Sequence, residues 1–309
     1  MDLVKEFGRI LVPMITPFNE DYSVDYQTAR KVARYIIDNK YCDSIIVSGT
    51  TGEFHSLSFD ERVKLFEEIK DEMGNEVPLI AGTGAVYTKE AIKLTKEAER
   101  LGYKAAMVIV PYYCHPTQEG IYQHFKEIAE NTSLPIIIYN IPLFVNESIS
   151  PETAARLSEI ENIVAVKDEA GINPLQTMEF IKKSGGKLTV YSGDDIMILQ
   201  VIQQGGIGVV SGGAHVVGDM IRDLIDSFLS GKVERSRKLF EILYDVFKSF
   251  FGVSDSRVNP TPGVKMALEV VSGLRVSTAR PPLLTYTKED REFISKALKI
   301  ARKEYQKLS

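Results

Sequence analysis

Lys167 stands at the end of a short apolar run, Ile163, Val164, Ala165 and Val166, with the acidic pair Asp168 and Glu169 and then Gly171 close behind. Such a run reads as a strand covered on both faces. A lysine at its end is either the first solvated residue or an amine held out of water. Desolvation disfavours the ammonium and lowers its pKa from ~10.4, and a neutral amine attacks ketones to form an imine. Tyr139 closes a second apolar run, PIIIYN (135–140), where its phenol can exchange protons with an amine or a substrate oxygen, or simply pack. SGTTGE (48–53) gathers small residues whose backbone N–H groups and the Thr50 and Thr51 hydroxyls can converge on an anion, most simply a carboxylate. Tyr112 and Tyr113 end another run, and GGIGVVSGG (205–213) fits either a phosphate or close backbone packing. Metal chemistry has no support in the spacing: Cys114 and His115 are adjacent, and His55, His124 and His215 are scattered.

Which reading of Lys167 holds depends on the elements around it. Eight apolar runs recur along the first 230 residues: 10–16, 43–49, 78–84, 105–111, 135–140, 162–168, 188–193 and 207–212. Between them lie stretches such as YQTARKVARYIIDN and TKEAIKLTKEAERLG, apolar at i, i+3 and i+4 as an amphipathic helix requires. Ser58 three residues before Glu61 forms a capping-box pattern, and Pro151 sits where a first helical turn begins. Eight strand–helix units over ~230 residues predict an α/β fold, a (β/α)₈ TIM barrel. The competing doubly wound sheet would carry a Gly-x-Gly-x-x-Gly turn after its first strand, where this chain has MITPFNED. Residues 231–309 read as three helices broken at NPTP and RPP, so the expected division is a barrel over 1–230 and a helical extension over 231–309. At the C-terminal end of a sixth barrel strand, Lys167 faces the mouth where barrel active sites lie. Its strand neighbours Ala165 and Ile163 make that face apolar.

In order along the chain, GTTGE (49–53), AGTGA (81–85), PYYCHPTQEGIYQHF (111–125), YNIP (139–142), VKD (166–168), SGDD (192–195) and NPTP (259–262) resemble the dihydrodipicolinate synthase / N-acetylneuraminate lyase family of pyruvate-handling class I aldolases. The likeness spans about residues 8 to 290. It implies a barrel with a helical extension, assembled as a homotetramer, acting as a carbon–carbon lyase without metal or organic cofactor. Lys167 then matches the lysine that forms a Schiff base with pyruvate, and Tyr139 the tyrosine that shuttles protons there. Thr50 matches the hydroxyl linking Tyr139 to a second tyrosine, here Tyr113, supplied by a neighbouring subunit. Thr50, Thr51 and Gly52 match the pocket for the pyruvate carboxylate, and Gly193 and Val210 line the pyruvyl site.

The second substrate divides the family. In the synthase branch an arginine two residues after YN-x-P holds the carboxylate of aspartate semialdehyde. Phe144 occupies that place, between Leu143 and Val145, and cannot pair with a carboxylate. The resemblance therefore points to a 2-keto-3-deoxy sugar acid of the gluconate type, cleaved to pyruvate and glyceraldehyde, with His55 bonding a sugar hydroxyl. The synthase reaction and a sugar-acid dehydratase are the alternatives within the family.

The chain's bulk properties fit a small-molecule enzyme. Its 309 residues are 44% apolar and 26% charged, with net charge −5. This mildly acidic balance, with no basic stretch, argues against nucleic acid or an anionic membrane as partner. No run approaches the ~20 apolar residues of a membrane span. Two cysteines, Cys42 and Cys114, predict no disulfide framework and a cytoplasmic setting. Beside the lyase stand two other classes: a phosphate-binding isomerase or epimerase built on the glycines near 205–213, and a non-catalytic keto-acid sensor.

Overall fold

In the computed structural model, which describes residues 1–169, 171, 173–253 and 259–308, eight parallel strands close into a barrel in sequence order. They are β1 (Ile10–Pro13), β2 (Ser44–Val47), β3 (Leu79–Gly82), β4 (Ala105–Ile109), β5 (Ile136–Asn140), β6 (Ile163–Asp168), β7 (Thr189–Ser192) and β8 (Gly208–Val210). Each lies within the apolar run expected for it. Except at β5 and β6, the runs outlast the strands because their last residues turn into the loops of the barrel mouth.

Alternation along the strands produces two packed layers. Leu11, Ile46, Ile80, Ile137, Ala165 and Tyr191 fill the barrel interior, whereas Val12, Ile45, Ala81, Ile138, Val166 and Val190 pack outward against the helices. Both faces are apolar, which is why the strands read as continuous hydrophobic runs. Each fully buried aliphatic side chain contributes about 1.5–3 kcal/mol. Ile163 departs from the expected pattern: it packs in the outer layer. A register shift where β5 meets β6, between Ile136 and Ile137, breaks the alternation there, so Ala165 shares the interior with Lys167 and Ile163 does not.

The helices begin where the sequence signals say. Ser58 and Glu61 form the reciprocal capping box of Phe59–Met73, and Pro151 opens Pro151–Leu157. A short N-terminal helix, Leu3–Phe7, closes the bottom of the barrel. Its Leu3 and Phe7 join the interior cluster, and the Tyr191 hydroxyl donates to the Gly8 carbonyl at 2.9 Å. After β8 and the helix Ala214–Leu229 come the helices Val233–Ser249, Thr261–Ser272 and Lys288–Leu308. The second begins inside NPTP: Thr261 and Pro262 belong to its first turn, where a proline's missing N–H costs nothing.

The glycines of 205–213 serve backbone packing. A Cβ on Gly208 would stand 2.1 Å from the Arg9 carbonyl oxygen. The Gly213 N–H, which a phosphate would need, instead donates to Asp195 at 2.8 Å. His215 ties this end of β8 to β1: its Nε2 accepts from the Ile15 N–H at 3.1 Å and its Nδ1 faces the Gly212 carbonyl at 2.8 Å. Burial lowers its pKa to about 4, so it is a neutral structural histidine. Among the described residues no helix is long and apolar enough to cross a membrane.

Candidate active site

Lys167 and Tyr139 are direct neighbours across the β5–β6 ladder, so their side chains rise side by side at the mouth. The Lys167 Nζ lies 3.7 Å from the centroid of the Tyr139 ring, and both side chains are buried. Burial dominates the titration of each. It lowers the Lys167 ammonium to about 8, against the opposing pull of Glu169, Asp195 and Asp194. It raises the Tyr139 phenol well above its ordinary value, with Glu169 adding to the effect and Thr50 opposing it. A glycine makes room for the lysine: a Cβ on Gly193 would lie 3.2 Å from Lys167 Cε and 3.1 Å from the Asp168 carbonyl oxygen.

The β2 loop approaches from the opposite side. Ser48 and Glu53, at φ 62° and 55°, turn the backbone back on itself. Gly52 fits beneath the turn because a Cβ there would stand 2.9 Å from the Met14 carbonyl oxygen. The Thr16 hydroxyl fixes the Gly52 carbonyl at 2.7 Å. Thr50 and Thr51 are thereby presented to the cavity. The Thr50 hydroxyl is near enough to Tyr139 to influence its proton, yet its oxygen is buried without a well-formed hydrogen bond of its own. A buried hydroxyl left unsatisfied beside a nucleophilic amine suits a polar ligand.

These groups line one cavity of about 460 Å³, together with Gly193, Val210, Phe144, Leu143 and Ile141. Of the residues singled out in the sequence, Lys167, Tyr139, Thr50, Thr51, Gly193, Val210 and Phe144 meet there. Gly52 sits just behind the lining. His55 does not arrive: it is on the surface beside the Phe54 ring, outside the cavity, because the three-residue turn Phe54–Ser56 carries it away. Tyr113 is 86% exposed, with φ 72°, and also lies outside the lining. Tyr112 is half-buried, edge-on to Phe54.

Three carboxylates belong to the site that were visible in the sequence without a role: Glu169, Asp194 and Asp195. Burial raises the pKa of all three, Asp195 to about 6. Glu169 and Asp194 interact directly, and two carboxyls in contact favour sharing one proton. Thr261 and Val264 from the C-terminal extension complete the wall. Their part depends on how the extension folds back, which no local pattern encodes. Among the described residues no group of three or more His, Cys, Asp or Glu is placed to hold a metal ion.

Known proteins resemble this chain over nearly its whole length. The family model described as the dihydrodipicolinate synthetase family matches residues 6–301. A 4-hydroxy-tetrahydrodipicolinate synthase of Desulforudis audaxviator is 42% identical over 287 residues, covering 93% of this chain and 95% of its own. A crystal structure of a dihydrodipicolinate synthase from Bacillus anthracis superposes with TM-score 0.88 at 42% identity, over 95% of this chain and 98% of that one. Another, from Acinetobacter baumannii and complexed with pyruvate, gives 0.87 at 36% identity over 95% and 98%. The expected 2-keto-3-deoxygluconate branch finds no support in these relatives, whose names are those of the synthase. With a matched model over nearly its whole length, the chain belongs to the dihydrodipicolinate synthetase family.

Proposed function

We propose that this enzyme, a carbon–carbon lyase of its family, joins pyruvate reversibly to an aldehyde through a covalent imine on Lys167. One observation carries the reading: a buried amine with a lowered pKa, 3.7 Å from the Tyr139 ring, inside a cavity that also presents the Thr50 and Thr51 hydroxyls. The neutral Lys167 adds to the keto carbon of pyruvate, and loss of water leaves an iminium ion. Loss of a C3 proton gives the enamine, whose C3 bonds to the aldehyde carbon while the aldehyde oxygen takes up a proton. Tyr139 is the group placed to supply it, and in cleavage to remove it. Thr50, Thr51 and the backbone at Gly52 receive the keto-acid carboxylate, and Gly193 and Val210 border the methyl end. The substrate is itself the covalent partner, so the scheme uses no added cofactor.

For the aldehyde, full-length similarity to synthases at 42% identity supports aspartate semialdehyde, and with it the 4-hydroxy-tetrahydrodipicolinate synthase reaction. A second reading, a 2-keto-3-deoxy sugar acid or its dehydration, is favoured by Leu143 and Phe144 at the acceptor wall and by the carboxylates Glu169 and Asp194. These suit a neutral hydroxyaldehyde better than an anionic one. Assembly as a homotetramer, with Tyr113 entering a neighbour's site, belongs to the same proposal and is supported by that residue's exposure. So does a division into a barrel over 1–230 and an extension over 231–309. A cytoplasmic setting, supported by two free cysteines, is also part of it.

Reductive trapping with pyruvate and cyanoborohydride tests the mechanism. A mass gain on Lys167, absent from a folded Lys167→Ala variant, is expected; no gain at that position would sink the imine. Aspartate semialdehyde condensation measured beside pyruvate release from a panel of 2-keto-3-deoxy acids then decides the acceptor.

A further inference from the structure

The loop that presents Thr50 and Thr51 is anchored from behind by residues more than two hundred positions away. Its last residue, Glu53, has a fully buried side chain held at both oxygens. Oε1 accepts from the Lys265 ammonium, and Oε2 accepts from the Arg280 backbone N–H at 3.0 Å. Lys265 is equally buried. It also donates to the Thr278 carbonyl at 2.6 Å and lies 4.3 Å from the centroid of the Phe18 ring. On the cavity side, the Glu53 N–H donates to the Thr50 carbonyl at 2.9 Å, so the anchor bears directly on the threonine. The helix carrying Lys265, Thr261–Ser272, meanwhile reaches the cavity through Thr261 and Val264. One rigid helix thus touches the site at its N-terminal end and grips the carboxylate loop one turn further on.

Stability does not account for this pair. Burying two charges is expensive, and a well-packed apolar pair of similar volume usually does as well or better. The lowered pKa of Lys265, about 8 through burial, shows that expense. What an ion pair adds is direction, because its hydrogen bonds fix where Glu53 sits. Lys265 is outside the cavity lining, so it is no rival nucleophile to Lys167.

We propose that Glu53 and Lys265 are positioning residues, through which the C-terminal extension sets the affinity of the Thr50–Thr51 loop for the keto-acid carboxylate. This rests on the pyruvate–imine reading above. The test is the pyruvate concentration that half-saturates cyanoborohydride trapping, measured for the wild type, Glu53→Gln, Lys265→Met and the double variant, with a thermal melt to establish folding. The double variant leaves no unpaired buried charge and guards against single variants that fail to fold. Folded variants are expected to need about tenfold more pyruvate yet reach the wild-type extent of labelling at saturation, a separation that general loss of structure would not produce. Half-saturation within twofold of wild type in the folded double variant overturns the inference alone. A wild-type chain that is never labelled overturns the imine reading and this inference with it.

Discussion

At the scale of single residues, the proposed chemistry depends on a lysine that spends part of its time uncharged at neutral pH. With its pKa near 8, roughly one Lys167 in ten is neutral at pH 7, against fewer than about one in a thousand for an ordinary lysine. The trapping rate at low pyruvate should therefore rise with pH and level off above about 8. Glu169 is the largest influence opposing the desolvation, so Glu169→Gln should move that inflection to lower pH; an unmoved or higher inflection would show that the carboxylate does not act on the amine. The same shift has a stability consequence. Because the folded pKa lies below the unfolded value of 10.5, the unfolded chain binds more protons between about 8 and 10.5. Stability from this group accordingly rises with pH across that window and carries its full cost below it. Lys167→Met should be inactive yet melt at a higher temperature than wild type at pH 7, with the gap closing toward pH 10.5.

At the scale of elements, the short helix Pro142–Val145 forms the wall that the proposed aldehyde would meet. It places Leu143 and Phe144 in the cavity wall, where a carboxylate finds no partner on that helix. A hydrogen bond to a charged group is worth about 1.5–3 kcal/mol, or roughly ten- to a hundredfold in affinity. Phe144→Arg should improve kcat/KM for aspartate semialdehyde by about that factor relative to a neutral aldehyde, and steady-state kinetics with both aldehydes measures it. This helix also marks where the sequence stops speaking. The eight strands were readable because strands buried on both faces are apolar throughout, and the long helices because their apolar stripes have a clear period. A four-residue helix that opens on a proline has no room to show a period. Glu169, Asp194 and Asp195 were plain as acidic residues, but their burial around Lys167 follows only from closing the barrel. His55 shows the converse: it is near Thr51 in sequence, yet one tight turn places it outside the lining of this cavity.

At the scale of the whole molecule, the barrel brings together the ends of β1, β2, β5, β6, β7 and β8, and the C-terminal extension supplies further wall. Tyr113 is left outside its own cavity. If it serves a neighbouring copy, Tyr113→Phe should lower turnover with the aldehyde while pyruvate trapping on Lys167 continues; unchanged turnover would remove it from the mechanism.

Leu3 and Phe7 plug one end of the barrel interior, and the cavity lined by Lys167 and Tyr139 lies at the other. On the proposed imine route, pyruvate is tethered before the aldehyde reacts, and the water shed in making the imine leaves between the two events. Initial velocities measured against both substrates should then give parallel reciprocal plots, the pattern of a modified enzyme waiting for its second guest; intersecting lines would mean that both substrates bind before that water departs.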